Sequence, residues 1–359
     1  MAMFDLKDIK AQVQRNCEIS DARYAGNYSV CGLFLQLRDL YKWEKGLDPW
    51  IETESRKLLD WIDEKEQQWD RLSKKNLAKI CISDIAYDPF DVSAINRVFM
   101  PQGFFYGGGY ARGLKPTFFI GKLKEKKEIS GCTVCVIDHE FARDLFTSPS
   151  LVQDDCIIFR HEVAMSSFWD KIFYVNKSSR SALDFGLKHY GLSLKNPKQI
   201  QLNLAKIVAE ESKRYIFHEL GEIQDMVFNR DLWREIISCY PHSPVELLAR
   251  SVKDLLADTS ENGPLRYFVK KNKNASLGFF VAFLDNFIKV LFPEIFSAFN
   301  TFIKTDEWGF IEEALEKGHQ KAMYYAETMS EIHRQGKQQR NTVWAREEIQ
   351  KQLLSPLGL

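Results

Sequence analysis

Between Pro197 and Phe228 apolar residues recur at helical spacing and then change face without a break in the period. Ile200, Leu204 and Ile207 form one stripe, and its continuation passes through Glu211, Tyr215, His218 and Glu222. Ile216, Leu220, Ile223 and Val227 then fall about half a turn away, taking roughly 100° per residue. A helix that is apolar on its far side and carries two carboxylates and an imidazole on its inward stripe predicts a polar site set into a helical core.

The same period recurs near residues 161–175, 243–257, 275–290, 306–335 and 340–354, with prolines at 197, 241, 244, 264 and 293 as punctuation. The opening 75 residues also read as helical. A short helix is expected over 5–16, and a longer one capped by Ser20 and Asp21 runs to Gly46. A third restarts at Asp48 and Pro49 and carries Trp50, Leu58, Leu59, Trp61, Ile62 and Trp69. The middle differs. Pro116–Ile120 and Thr133–Ile137 are rich in Phe, Ile, Val and Thr, with KLKEKKE between them, which predicts a β-hairpin with an exposed lysine-rich tip. Asp155–Phe159 adds a strand. The expected class is therefore α+β, mainly α, with a helical N-terminal region, a small antiparallel hairpin or sheet, and a C-terminal helical bundle. The expected domains are 1–160 and 161–359.

Composition narrows the partners. The 359 residues hold 49 Lys plus Arg against 49 Asp plus Glu, so the chain lacks the basic excess expected of a nucleic-acid binder. With 45 % hydrophobic and 27 % charged residues it has the make-up of a globular protein. Asp5, Lys7, Asp8 and Lys10 interrupt the start where an export signal would be apolar. The most apolar region, 277–303, is broken by Asp285, Lys289, Pro293 and Glu294, so no membrane span is expected. Seven scattered cysteines (17, 31, 81, 132, 135, 156 and 239) argue against a disulfide framework and for a reducing cytoplasm. The partners left are a small ligand or another protein.

The stripe carries the main chemical expectation. Burying Glu211 and Glu222 alone would cost several kcal/mol each, so a metal ion, an arginine or water must compensate. His218 and Glu222 are one helical turn apart, a spacing helices use for metal ligands. One reading is thus a site for a divalent metal (Zn, Fe or Mn) on Glu211, His218 and Glu222. His161, on a face with Met165, Phe168 and Ile172, joins them if it converges across the bundle, and Tyr215 is an accessory ligand-binding group. Such a site suits hydrolytic chemistry by metal-polarised water or a glutamate base. The rival reading is a non-enzymatic interaction or scaffold protein whose stripe is structural, closed by Arg214 or water.

Other motifs are weaker. GFFYGGGYARGLKP places Gly107, Gly108 and Gly109 beside Arg112 and Lys115, a glycine loop able to approach a small anion, but it lacks both GxGxxG and GxxxxGK[ST] and leads into a strand. Glu316 and His319 form one ExxH pair, where a carboxylate di-iron bundle needs two. Cys132 and Cys135 fall within a predicted strand and face opposite sides. No GxSxG or HExxH is present, and no catalytic residue is assigned.

Four segments, RNCEISDA, CGLFLQLRDLYKWEKGL, GGGYARGLKPTFF and FHELGE, are similar to those of a family of uncharacterised bacterial proteins of about this length. The resemblance runs along most of the chain and implies a soluble bacterial protein. It supplies no activity and no catalytic residue.

Overall fold

The computed structural model describes residues 5–154 and 156–358, apart from the side chain of Arg112. Helices take 65 % of the chain and strands 14 %, so the class is α+β and mainly α. The chain divides into two compact units, Met1–Asp170 and Lys171–Leu359.

In the first unit the order is α1 (Leu6–Tyr24), α2 (Val30–Glu44), α3 (Ser55–Leu72), β1 (Ile80–Ile82), β2 (Ile85–Tyr87), α4 (Val92–Phe99), β3 (Phe104–Tyr110), β4 (Pro116–Ile129), β5 (Cys132–Arg143), β6 (Ser150–Gln153), β7 (Cys156–Arg160) and α5 (His161–Phe173), whose last turn crosses into the second unit. Strands β3-β4-β5-β7-β6 form one sheet in that order, antiparallel except for the β5–β7 pair. Ile9, Val13 and Cys17 of α1 pack into a core with Ile95, Phe99, Tyr106, Phe118 and Ile120.

Three local expectations change here. Ser20 and Asp21 do not cap a helix; they lie buried inside the uninterrupted α1. Ser20 donates to the Pro116 carbonyl, and Asp21 accepts from the Leu145 amide at 3.1 Å and pairs with the buried Lys115 at 3.0 Å. Good capping residues have thus been diverted to tertiary partners. KLKEKKE is not a tip either: it is part of the 14-residue β4, and the chain turns at Ser130 and Gly131, both at positive φ (49° and 83°) as a tight hairpin turn requires. Its charges pair along the exposed ribbon, Lys124 with Asp138 at 2.9 Å and Lys127 with Glu125 at 2.6 Å. Third, the strand expected from Asp155 begins at Cys156; Asp155 lies outside the described residues.

The glycine segment is a strand as well. Gly107, Gly108 and Gly109 belong to β3, in register with Phe119, Phe118 and Thr117 of β4. A Cβ on Gly107 would come within 2.0 Å of the Phe119 ring, and one on Gly108 within 2.8 Å of the Pro89 carbonyl oxygen. The Gly108 amide donates to Gln153 Oε1 at 2.9 Å, which ties one edge strand, β3, to the other, β6. Gly107 and Gly108 admit an aromatic ring and backbone, and the segment is a strand where a loop was expected. The side chain of Arg112 lies outside the described residues.

The second unit continues with α6 (Arg180–Lys188), α7 (Pro197–Gln224), α8 (Arg230–Cys239), α9 (Pro244–Thr259), α10 (Pro264–Lys271), α11 (Asn274–Ala282), α12 (Asn286–Leu291), α13 (Glu294–Thr305), α14 (Gly309–Gln338) and α15 (Thr342–Ile349). Helix α9, opened by Ser243 accepting from the Glu246 amide and by Pro244 in the first turn, is buried on nearly every side and packs against α7, α8, α10, α12 and α14. Where α7 meets it, a Cβ on Gly221 would come within 2.4 Å of the Ala257 carbonyl oxygen. Only glycine permits that approach, and it sets the polar stripe of α7 against the last turns of α9.

Among the described residues no helix is long and apolar enough to cross a membrane.

Candidate metal centre

Helix α7 starts at Asn196, whose side chain accepts from the Gln199 amide, with Pro197 in its first turn. Ile200, Leu204, Ile207 and Glu211 are buried as the period predicts; Tyr215, His218 and Glu222 follow on the same stripe but are partly open. The stripe does not form one site. It divides between two groups of partners.

Glu211, 1 % exposed, belongs to the first group. Its Oε1 accepts from the Tyr190 hydroxyl at 3.0 Å and from the Ser276 hydroxyl at 2.9 Å, while Oε2 is buried without a hydrogen bond. Burial pushes the Glu211 carboxyl up from its usual range, and the two hydroxyls only partly offset it. Tyr215 lies one turn on, its phenol also raised by burial. Arg214 does not close the stripe: it donates to the Phe279 carbonyl oxygen at 3.3 Å and stacks on Phe280.

His218 and Glu222 form the second group, with two aspartates of α9. His218 Nδ1 lies 2.7 Å from Asp258 Oδ1. His218 Nε2 lies 3.6 Å from Glu222 Oε1 and 4.0 Å from Asp254 Oδ1. One ligand atom from each of His218, Glu222 and Asp254 falls within 4.8 Å of the others. Their side chains are 26 %, 32 % and 43 % exposed, against 14 % for Asp258, so the group sits at the rim of the helical core with its open side to solvent.

The electrostatics are one-sided. Burial works against the imidazolium of His218, but Asp258 and then Glu222 outweigh it and hold the ring well above its ordinary range. Burial opposes the Glu222 carboxylate too, yet His218 keeps it below the usual range. Asp254 is pushed up to about 7, first by burial and then by Glu222 and Asp258, with His218 opposing. Three carboxylates thus face one cationic ring. The neighbouring Lys253 is committed elsewhere, to Asp225 at 2.9 Å and to the Glu222 and Phe228 carbonyl oxygens at 3.2 and 2.9 Å.

These residues fit a divalent cation. With metal–nitrogen and metal–oxygen bonds near 2.1 Å, two ligands of a tetrahedral ion stand about 3.4 Å apart. The 3.6 and 4.0 Å separations at Nε2 are too long for hydrogen bonds and close to that spacing.

The other sequence expectations separate. His161 is a residue of the first unit, half-buried at the start of α5 with its ring edge-on to Phe159 at 6.4 Å, and is not part of this group. Glu316 pairs with Arg266 at 2.8 Å and His319 meets the Thr259 hydroxyl at 3.0 Å, so the ExxH pair does not converge. His319 borders a cavity of about 300 Å³ at the C-terminal end of α7, lined also by Asp225, Leu256, Ser260 and Met323; the cluster does not line it. Asp254 and Asp258 are the residues that sequence reasoning missed. Their signal was present: two carboxylates one turn apart in VKDLLADT, on one face of a helix.

Fold and cluster together define a two-unit α+β protein with a histidine–carboxylate centre between two helices of its helical unit. The chain belongs to a family of unknown function (DUF6866): residues 8–160 match its N-terminal domain and residues 165–352 its C-terminal domain. No curated protein and no solved structure matches it.

Proposed function

We propose that His218, Glu222 and Asp254 bind a divalent metal ion, with Asp258 as the carboxylate that orients the histidine. The observation that carries this reading is the division of labour on one ring: Nδ1 is held by Asp258 at 2.7 Å, while Nε2 faces two carboxylate oxygens at separations suited to a shared ion. A mixed nitrogen and oxygen ligand set suits Zn, Fe or Mn. A bound ion would neutralise the excess negative charge. With three protein ligands and an open side, it leaves a coordination position for water or substrate, and the chemistry it supplies is Lewis-acid activation, of which hydrolysis is the simplest outcome. Glu211 and Tyr215 lie outside this ligand set.

The setting we propose is the bacterial cytoplasm. The odd number and scattered placement of the seven cysteines along the chain support a reducing compartment.

The test is metal content by plasma mass spectrometry on protein purified without chelator. The expected result is about one Zn, Fe or Mn per chain in wild type and strong loss in His218→Ala and Asp254→Asn. Negligible metal in the wild type, together with no binding on addition of Zn, Fe or Mn, rejects the reading.

A further inference from the structure

We propose that Lys171 and Arg214, which both approach the ring of Phe283 in the second unit, form a site for a phosphate group. Lys171 Nζ lies 5.8 Å from the centroid of Phe283, and Arg214 Cζ lies 5.8 Å from the same centroid and 5.3 Å from that of Phe280. An aromatic face attracts cations but cancels no charge. Among the described residues neither side chain has a carboxylate within ion-pair distance, and Arg214 donates only to the neutral Phe279 carbonyl.

Lys171 is half-buried, and the fully buried lysines are held differently. Lys65 meets Glu44 at 2.6 Å, Lys115 meets Asp21 and Asp144 at 3.0 Å, and Lys253 meets Asp225 at 2.9 Å. Each of those ammonium groups is neutralised inside the protein, as burial demands. Lys171 is pushed down to about 8 by burial and by Arg214, with Asp285 opposing. The Asp285 side chain is occupied as the cap of α12, accepting from the Ile288 amide at 2.8 Å.

Two uncompensated positive charges match a phosphate dianion, whereas a single carboxylate would leave one unmatched. The guanidinium fork suits bidentate phosphate oxygens, and Lys171 adds a point charge. The site stands independently of the metal reading. Arg214 is one helical turn before His218 in the sequence of α7, but its side chain is directed to Phe279, Phe280 and Phe283 and not to the histidine's partners.

The test is calorimetric titration of the full chain, stripped with chelator, with inorganic phosphate at pH 7. Stripping separates a failure of this site from a failure of the metal centre. The expected result is saturable binding, weakened tenfold or more in both Arg214→Gln and Lys171→Gln, unchanged in the exposed-residue control Lys304→Gln, and not competed by equimolar acetate. Wild-type affinity should also fall as pH passes about 8 and Lys171 loses its proton. Thermal melts identify any variant that fails to fold, and either glutamine variant alone then decides. No phosphate binding, equal affinity in all variants (an adventitious ion only), or equal displacement by acetate each overturns the proposal.

Discussion

The Nδ1 atom of His218 and the Oδ1 atom of Asp258 stand 2.7 Å apart across the contact between α7 and α9. A carboxylate accepts and does not donate, so Nδ1 carries the proton and the ring is held with Nε2 facing Glu222 and Asp254. Asp258 therefore shapes the centre without supplying a ligand atom to it.

Asp258→Asn keeps the size of the side chain and removes its charge. The expected outcome is a protein that folds normally but binds metal on the order of 10–100-fold more weakly, the usual cost of losing a histidine's carboxylate partner. Competition titration with a chromogenic chelator measures it. An unchanged affinity would show that Asp258 does not orient the ring.

Glu211 sets a pH dependence of stability. Its folded carboxyl is raised above the unfolded value, so the folded state is relatively favoured at acid pH, where the group is protonated in both states. That advantage is lost as pH rises through the folded value. Glu211→Gln removes the ionisation while keeping an acceptor for Tyr190 and Ser276, and should leave the protein as stable or more so at pH 8, by about 1 kcal/mol, with the difference vanishing toward pH 4. Glu211→Ala strands both hydroxyls and opens a cavity, and should cost about 2–3 kcal/mol. Urea unfolding at both pH values separates the two variants, and a Gln variant less stable at pH 8 than at pH 4 relative to wild type would reverse the sign argued here.

The glycines of β3 should respond unequally. Gly107→Ala drives a methyl into the Phe119 ring and should lower stability by about 1–3 kcal/mol, whereas Gly109, with open space around its Cβ position, should accept alanine with little change. Melting temperatures decide. Equal and mild effects at both positions would favour a yielding loop over a packed strand.

Much of this architecture was legible in the chain because it is local. The helical second half and the polar turn in the stripe of α7 follow from side-chain period alone, and so do the core positions Ile200, Leu204 and Ile207. What went unread depends on distant partners. Ser20 and Asp21 look like caps, but they serve Pro116 and Leu145, 96 and 124 positions away. Three successive glycines look like a loop until the rings of the next strand are known.

By itself, the sequence determined the class, the helical half and the presence of an imidazole and carboxylates on one helix face, since each depends on charge, composition or a period of a few residues. The tertiary structure alone decided which of those groups meet. Glu211 went to Tyr190 and Ser276, and His218 and Glu222 went to Asp254 and Asp258. For the second group the physical reason is the approach of two helices at Gly221, a missing side chain whose consequence appears only once Ala257 stands opposite it.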